Sequence, residues 1–161
     1  LSQQGASGPG VAAAIRDEPV GLKECRVQMQ SLIDDVCRMG GVGLDRVVLG
    51  GFSQGGAIAL NTAYRHPAKL GGCVALSGWL NMKDDFAEGK EFPTEASKAT
   101  PCLWGHGAMD DKVLFPHQKI GVDLLTARGV TVDASNYPMG HSAHPEELAK
   151  LAAFLAGILF P

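Results

Sequence analysis

The most constraining feature of this sequence is a serine flanked by glycines where a strand pattern gives way to a helix pattern. Residues 51–55 read G-F-S-Q-G, which has the form G-x-S-x-G. An apolar run at 46–50 precedes them and a helical pattern at 55–66 follows, so we expect a sharp turn from a buried strand into a helix. Side chains at 51 and 55 are expected to collide in such a turn, which accounts for both glycines. Ser53 is then presented at the carboxyl end of the strand as a candidate nucleophile.

Apolar periodicity along the rest of the chain predicts helices that alternate with strands. The predicted helices are 22–39, 55–66, 120–127 and 145–159, and the predicted strands are 46–50, 73–77, 101–104 and 130–137. Alternation of this kind predicts an α/β domain with a mostly parallel sheet and helices on both faces. We expect one domain over 1–161, irregular structure over 1–20 and a long functional loop at 79–99. The last helix is expected to pack through the stripe Leu148, Leu151, Ala152, Leu155, Ile158 and Leu159.

Composition excludes several classes of protein. The chain has 161 residues, 45% of them hydrophobic, and a net charge of -3, so it can form a core and has no electrostatic basis for binding nucleic acid. Its four cysteines show neither C-x-x-C nor zinc spacing, which predicts reduced thiols and a cytoplasmic protein without a metal or cofactor. No stretch reaches the length of a membrane span. Because the chain begins at Leu1 rather than Met, we expect that an upstream segment is missing.

A serine nucleophile needs a general base and a carboxylate that orients the base. The loop after the last predicted strand contains His141, and the loop after the third contains Asp110 and Asp111. His141 is the preferred base because His144 lies in the first turn of the last helix, where a positive charge is disfavoured. Spacing alone does not distinguish Asp110 from Asp111.

The remaining histidines have structural interpretations. His106 ends a strand, where its ring could hold the acid loop by a hydrogen bond, and His66 and His117 are expected on surface elements. The His141/His144 spacing resembles a metal pair, but no third ligand is evident. No metal site is therefore predicted.

Several segments together resemble the acyl-protein thioesterase family, with its lysophospholipase and carboxylesterase relatives. The matching segments are R-V-V-L-G-G-F-S-Q-G-G-A-I-A-L at 46–60, A-L-S-G-W-L at 75–80, H-G-x-x-D at 106–110 and M-G-H-S at 139–142. The resemblance runs from about Leu22 to the C-terminus and implies an α/β-hydrolase fold. It also implies that Asp110 is the acid, that His141 is the base and that the backbone N–H of Gln54 helps to hold the oxyanion.

The resemblance further implies a channel for the acyl chain, with Trp79, Leu80, Lys112 and Val113 as its candidate lining. The alternative interpretation is that Trp79 and Leu80 belong to the core. Asp111 and Lys112 depart from the family pattern, in which the residues after the catalytic aspartate are usually apolar or proline.

The N-terminal strands of the family, and its H-G-x-G-type loop with a second oxyanion donor, are absent from this chain. The strand at 46–50 is therefore expected to expose an edge that an upstream segment or a second copy of the chain covers.

The predicted function is that of a serine hydrolase that cleaves acyl thioesters of cysteine, or carboxylic esters of lipids, through an acyl-enzyme. Its expected partners are an acylated protein or a small acyl ester, encountered at a membrane periphery through the substrate. Two alternatives stay open at this point. One is a general carboxylesterase of another α/β-hydrolase family, and the other is an inactive truncated hydrolase that acts as a binding or dimerising module.

Overall fold

A computed structural model describes residues 21–81 and 92–160 of the chain. The predictions for residues 1–20 and for residues 82–91 of the 79–99 loop lie outside these ranges. The helices are α1 (Leu22–Gly40), α2 (Gln54–Tyr64), α3 (Pro116–Ala127) and α4 (Pro145–Leu159). The strands are β1 (Val48–Phe52), β2 (Gly72–Leu76), β3 (Cys102–Gly107) and β4 (Val132–Tyr137), and short 3-10 helices span Leu44–Arg46 and Ser97–Ala99. Every predicted helix and strand is present, with shifts of a few residues at most boundaries.

The four strands form one parallel sheet in the order β1-β2-β3-β4. Leu49, Cys73, Cys102 and Val132 share one row of the register. Parallel pairing places all the carboxyl ends at one edge of the sheet, which is where the loops that carry Ser53, Asp110 and His141 begin. In the described part of the chain, β1 and β4 are the two edge strands.

Helices cover both faces of the sheet, as the alternation predicts. On one face, α2 packs closely over β1 and β2, α1 packs against α2, and Gly121 of α3 lies over Trp104. Trp104, Tyr64 and Leu60 are fully buried on this side. On the other face, α4 lies against Gly72 and Gly105, whose missing side chains leave room for Phe154 and Glu147.

The predicted stripe of α4 is confirmed in part, because Leu151, Leu155, Ile158 and Leu159 are half-buried, but the helix is rotated relative to it. Leu148 is 49% exposed and Ala152 is also exposed, whereas Phe154 and Ile158 contact the sheet at Gly72. The close approach at Gly72 and Gly105 sets this rotation, because the helix turns its larger side chains toward the two positions where the sheet has none. Periodicity alone cannot reveal that choice, because α4 is apolar around most of its circumference.

A buried carboxyl group begins α4. Glu147 is 1% exposed and accepts a hydrogen bond from the backbone N–H of His144, while the ring of His144 accepts one from the N–H of Glu146. Together they form a capping box, and Pro145 occupies the first turn. Burial raises the pKa of Glu147, and the hydrogen bond from His144 only partly opposes that effect.

Glu147→Gln is expected to flatten the pH dependence of stability. A carboxyl group whose folded pKa is raised stabilises the fold fully below its unfolded pKa, and this contribution is lost as pH rises through the folded pKa. From pH 4 to pH 7 the wild-type protein should therefore lose unfolding free energy relative to the variant. Urea unfolding at several pH values measures the difference, and Glu146→Gln is the control, because that neighbouring side chain is exposed. Equal slopes for both variants and the wild type would contradict the prediction.

Within the described residues, no helix combines the length and the apolar character that crossing a bilayer requires.

Candidate active site

The turn at Ser53 has the strained backbone that the glycine pattern predicts. Ser53 is the N-cap of α2 and has φ 56° and ψ -121°, which is a rare conformation for a non-glycine residue. Its N–H donates to the carbonyl of Leu76 at 2.8 Å, and its carbonyl accepts from the N–H of Ala57 at 3.2 Å. Strain of this kind costs about 1–3 kcal/mol and persists only where neighbouring structure holds it. Here β2 and the first turn of α2 supply that support.

The glycines of the turn do not have equal roles. A Cβ added to Gly51 would overlap the backbone of Gly55 and Gly56, and a Cβ on Gly56 would press on the carbonyl of Gly51 and on Gly78. A Cβ on Gly55 would meet nothing within 4 Å. The expectation that both ends of the motif need glycine for lack of space is therefore right for Gly51 and wrong for Gly55.

The loop after β3 holds one carboxylate in a fixed position. Asp110 is 4% exposed, and its Oδ1 accepts hydrogen bonds from the backbone N–H groups of Lys112 and Val113, each at 2.9 Å. Burial of Asp110 raises its pKa, but the hydrogen bonds from His141, Val113 and Lys112 together outweigh burial and hold the pKa below its ordinary value. Asp110 is therefore an anion at neutral pH. The side chain of Asp111 is 74% exposed and pairs with Lys112 at the surface.

His141 joins this carboxylate to the serine. Its Nδ1 lies 2.8 Å from Oδ2 of Asp110, and its Nε2 lies 3.0 Å from Oγ of Ser53. Because the carboxylate is an acceptor, the proton belongs on Nδ1, which leaves Nε2 to accept from the serine hydroxyl. The loop that carries His141 is tied to the acid loop by the N–H groups of Ala108 and Met109, which donate to Tyr137 and Met139 at 2.8 and 3.0 Å.

His106, the histidine of the H-G-x-x-D segment, holds the loop after β3 by a hydrogen bond. His106 has no exposed surface, and its Nε2–H donates to the carbonyl of Val113 at 2.8 Å while lying 3.6 Å from Oδ2 of Asp110. Burial lowers the pKa of His106, although Val113 and Asp110 oppose that effect. This is the loop contact that the sequence suggests for His106.

One neighbour of His141 was not anticipated from the sequence. The ring of Phe52 lies 4.7 Å from the imidazole, centroid to centroid, at an interplanar angle of 48°. The ring covers one face of the imidazole and leaves its two nitrogens to Asp110 and Ser53. The available signal was the position of Phe52 directly before the serine, at the end of the strand.

The candidate substrate residues divide into two groups. Trp79, Lys112 and Val113 line one cavity of about 140 Å³, whereas Leu80 is 5% exposed and belongs to the core beside Trp104. His117 also lines this cavity and is 9% exposed, so its expected surface position is wrong. It lies in the first turn of α3 and lines the same cavity as Val113, which the sequence of the helix does not reveal.

Gln54 is the first residue of α2 and borders a different cavity. The first N–H groups of a helix have no intrahelical partner, so the backbone N–H of Gln54 is suited to donate a hydrogen bond to negative charge that develops next to Ser53.

Comparison with known proteins places this chain in a family. The profile of the Phospholipase/Carboxylesterase family matches residues 11–159. An acyl-protein thioesterase 1 from Gibberella zeae is 40% identical over 156 residues, which cover 96% of this chain and 66% of that protein. A probable SOBER1-like carboxylesterase from Arabidopsis thaliana is 36% identical, over 91% of this chain and 55% of that protein. The chain thus spans less than two thirds of the length of either relative.

Solved structures of other proteins share this fold. The crystal structure of Arabidopsis thaliana SOBER1 superposes with a TM-score of 0.81 at 31% identity, over 92% of this chain and 69% of that one. A phospholipase/carboxylesterase structure from Dyadobacter fermentans superposes with a TM-score of 0.72 at 20% identity, which is a likeness of fold. The described residues therefore form part of an α/β-hydrolase fold.

Proposed function

The chain belongs to the phospholipase/carboxylesterase family, and we propose on that premise that it is a serine hydrolase of acyl thioesters and carboxylic esters. The observation that carries the proposal is the unbroken chain of contacts from Asp110 through His141 to Ser53, at 2.8 and 3.0 Å. A nucleophile, a base and an orienting carboxylate in this order are the components of a catalytic triad.

The proposed reaction begins with proton transfer. Nε2 of His141 takes the proton of Ser53 while Oγ attacks the acyl carbonyl, and the carboxylate of Asp110 stabilises the imidazolium that forms. The backbone N–H of Gln54 donates to the oxyanion of the tetrahedral intermediate. The intermediate collapses when His141 returns the proton to the leaving group, which leaves an acyl-enzyme on Ser53. Water, activated by His141, then releases the acid.

The proposed preference for thioesters follows from the leaving group. A cysteine thiol has a pKa of about 8.5, so its thiolate departs with less help from a general acid than an alkoxide needs. The apolar surfaces of Trp79 and Val113 would bind the acyl chain, at about 0.8 kcal/mol for each buried CH₂. Lys112 lies at the exposed rim of that cavity.

We also propose that the substrate is an acylated protein or a small acyl ester. Encounter at a membrane periphery through a lipidated substrate, a cytoplasmic location, and a second copy or a further segment along β1 all stay predictions. Expression of the chain with a fluorescent tag, together with analytical ultracentrifugation, would address location and association.

A fluorophosphonate reagent tests the proposed nucleophile. The wild-type chain is expected to gain one phosphonyl group, with the adduct on Ser53, because an activated serine attacks phosphorus as it attacks an acyl carbonyl. Intact-mass and peptide mass spectrometry measure the adduct. Ser142→Ala, in the same loop as His141, should label normally, while Ser53→Ala should not label.

Two paired substrates test the reaction itself. A peptide with an S-acyl cysteine should be hydrolysed faster than the same peptide with an O-acyl serine. Absence of both labelling and hydrolysis would favour the alternative of a non-catalytic binding module.

A further inference from the structure

Two cavities of the described structure share one indole ring in their linings. Trp79 lines the cavity of about 140 Å³ with Val113 and His117, and it also lines a second cavity of about 250 Å³ with Gln54 and Ile58. Both cavities therefore adjoin the candidate reaction centre, one through the acid loop and the other through the residue that follows Ser53.

The ring of Trp79 is held by a specific hydrogen bond. Its Nε1–H donates to Oδ1 of Asn81 at 2.7 Å, and Asn81 is 3% exposed although it borders the larger cavity. A buried amide oxygen with a short bond to an indole N–H gives the ring one favoured orientation, because rotation would leave a buried polar group unpaired. Asn81 has no contact with Ser53, Asp110 or His141 among the described hydrogen bonds.

We propose that Asn81 is a specificity-determining positioning residue, which fixes Trp79 as a wall that restricts the site to short acyl chains. Pockets for small molecules usually enclose about 300–1,000 Å³, and each cavity here is smaller than that range. Joined, the two would lie within it. A chain that stays on one side of Trp79 finds limited apolar surface, whereas a displaced ring would open a longer path. This inference rests on the proposed hydrolase function and names the substrate class that the site selects.

The test compares chain-length profiles. Values of kcat/KM are measured with p-nitrophenyl acetate, butanoate, octanoate and dodecanoate for the wild type, Asn81→Leu, Trp79→Phe and the double variant. Asn81→Leu removes the acceptor at similar volume and should raise the dodecanoate-to-butanoate ratio about tenfold, mainly through KM, which corresponds to burial of about two more methylene groups. Trp79→Phe removes the donor and should raise the ratio similarly. The double variant should show no further increase, because both changes break the same contact.

Asn81→Asp is the rescue variant, because it keeps an oxygen acceptor at the same position and should retain the wild-type preference. A dodecanoate-to-butanoate ratio that is raised in Asn81→Asp as in Asn81→Leu would overturn the proposal. Effects of Asn81→Leu and Trp79→Phe that add in the double variant would also overturn it. Thermal unfolding of each variant identifies any that is not folded.

A second measurement does not depend on activity. Trp79 is partly exposed and Trp104 is fully buried, and these are the two tryptophans of the chain, so acrylamide quenching reports mainly on Trp79. Asn81→Leu should increase quenching at least twofold, and Asn81→Asp should not. Unchanged quenching in Asn81→Leu would overturn the positioning role. If the wild type hydrolyses no ester, the proposed function fails, while quenching still decides whether Asn81 positions Trp79.

Discussion

Asp110→Asn is expected to lower kcat by about 10⁴-fold while the protein remains folded. Oδ1 of Asp110 already accepts hydrogen bonds from the N–H groups of Lys112 and Val113, so the amide oxygen of an asparagine would keep that place. Its NH₂ group would then face Nδ1 of His141, which must become an acceptor. The proton of the imidazole moves to Nε2, where it faces Ser53 and prevents His141 from acting as a base. Steady-state kinetics with an acyl thioester measures the loss.

The neighbouring carboxylate provides the matched control for this experiment. Asp111→Asn makes the same chemical change one residue along the chain, but the side chain of Asp111 is 74% exposed and pairs with Lys112 at the surface. We expect its kcat to stay within about twofold of the wild type, since an exposed pair contributes little. A large loss of kcat in Asp111→Asn, or retained activity in Asp110→Asn, would show that Asp110 is not the acid. Circular dichroism establishes that both variants are folded.

Gly51→Ala is expected to destabilise the protein by about 3 kcal/mol and to reduce activity about 10²-fold or more. The added methyl group would overlap the backbone of Gly55 and Gly56, and backbone atoms cannot move aside without opening the turn. Ser53 sits on that turn, so any displacement lengthens its contact with His141. Urea unfolding measures the loss of stability, and ester hydrolysis measures the loss of activity.

Gly55→Ala is the control because it alters the other glycine of the same motif. A methyl group there meets nothing within 4 Å, and alanine has a higher helix propensity than glycine. This variant should be stabilised by up to about 1 kcal/mol and should retain activity. Equal destabilisation of both variants would show that the motif needs its glycines for backbone flexibility rather than for space.

The sequence predicted the elements and their order because local patterns carry that information. The helix that ends at Gly40 stops before Gly41, which adopts φ 61°, and the helix that begins at Pro145 has its proline in the first turn, as local rules of helix termination and initiation require. Alternation of helices and strands was sufficient to predict a parallel sheet. The shift of β1 from 46–50 to Val48–Phe52 reflects pairing with β2, which extends to the residue before Ser53.

Local sequence patterns did not predict the contacts between segments that are far apart along the chain. Leu80 and Trp79 are adjacent in sequence, yet Leu80 packs in the core and Trp79 borders two cavities. His117 was expected on the surface of its helix, but it is buried and lines the same cavity as Val113. The rotation of α4 depends on Gly72 and Gly105, which lie in two other strands.

By itself, the sequence determined the strand–turn–helix around Ser53 and the order of the segments that carry the base and the acid, because glycine spacing and apolar periodicity act over a few residues. Residue spacing did not decide which aspartate meets His141, since two adjacent carboxylates differ only in direction. The family resemblance implied Asp110, and only the tertiary structure shows the physical reason. Parallel pairing of β3 with β4 brings their loops together, and the amides of Lys112 and Val113 then turn Asp110 toward His141 and leave Asp111 in solvent.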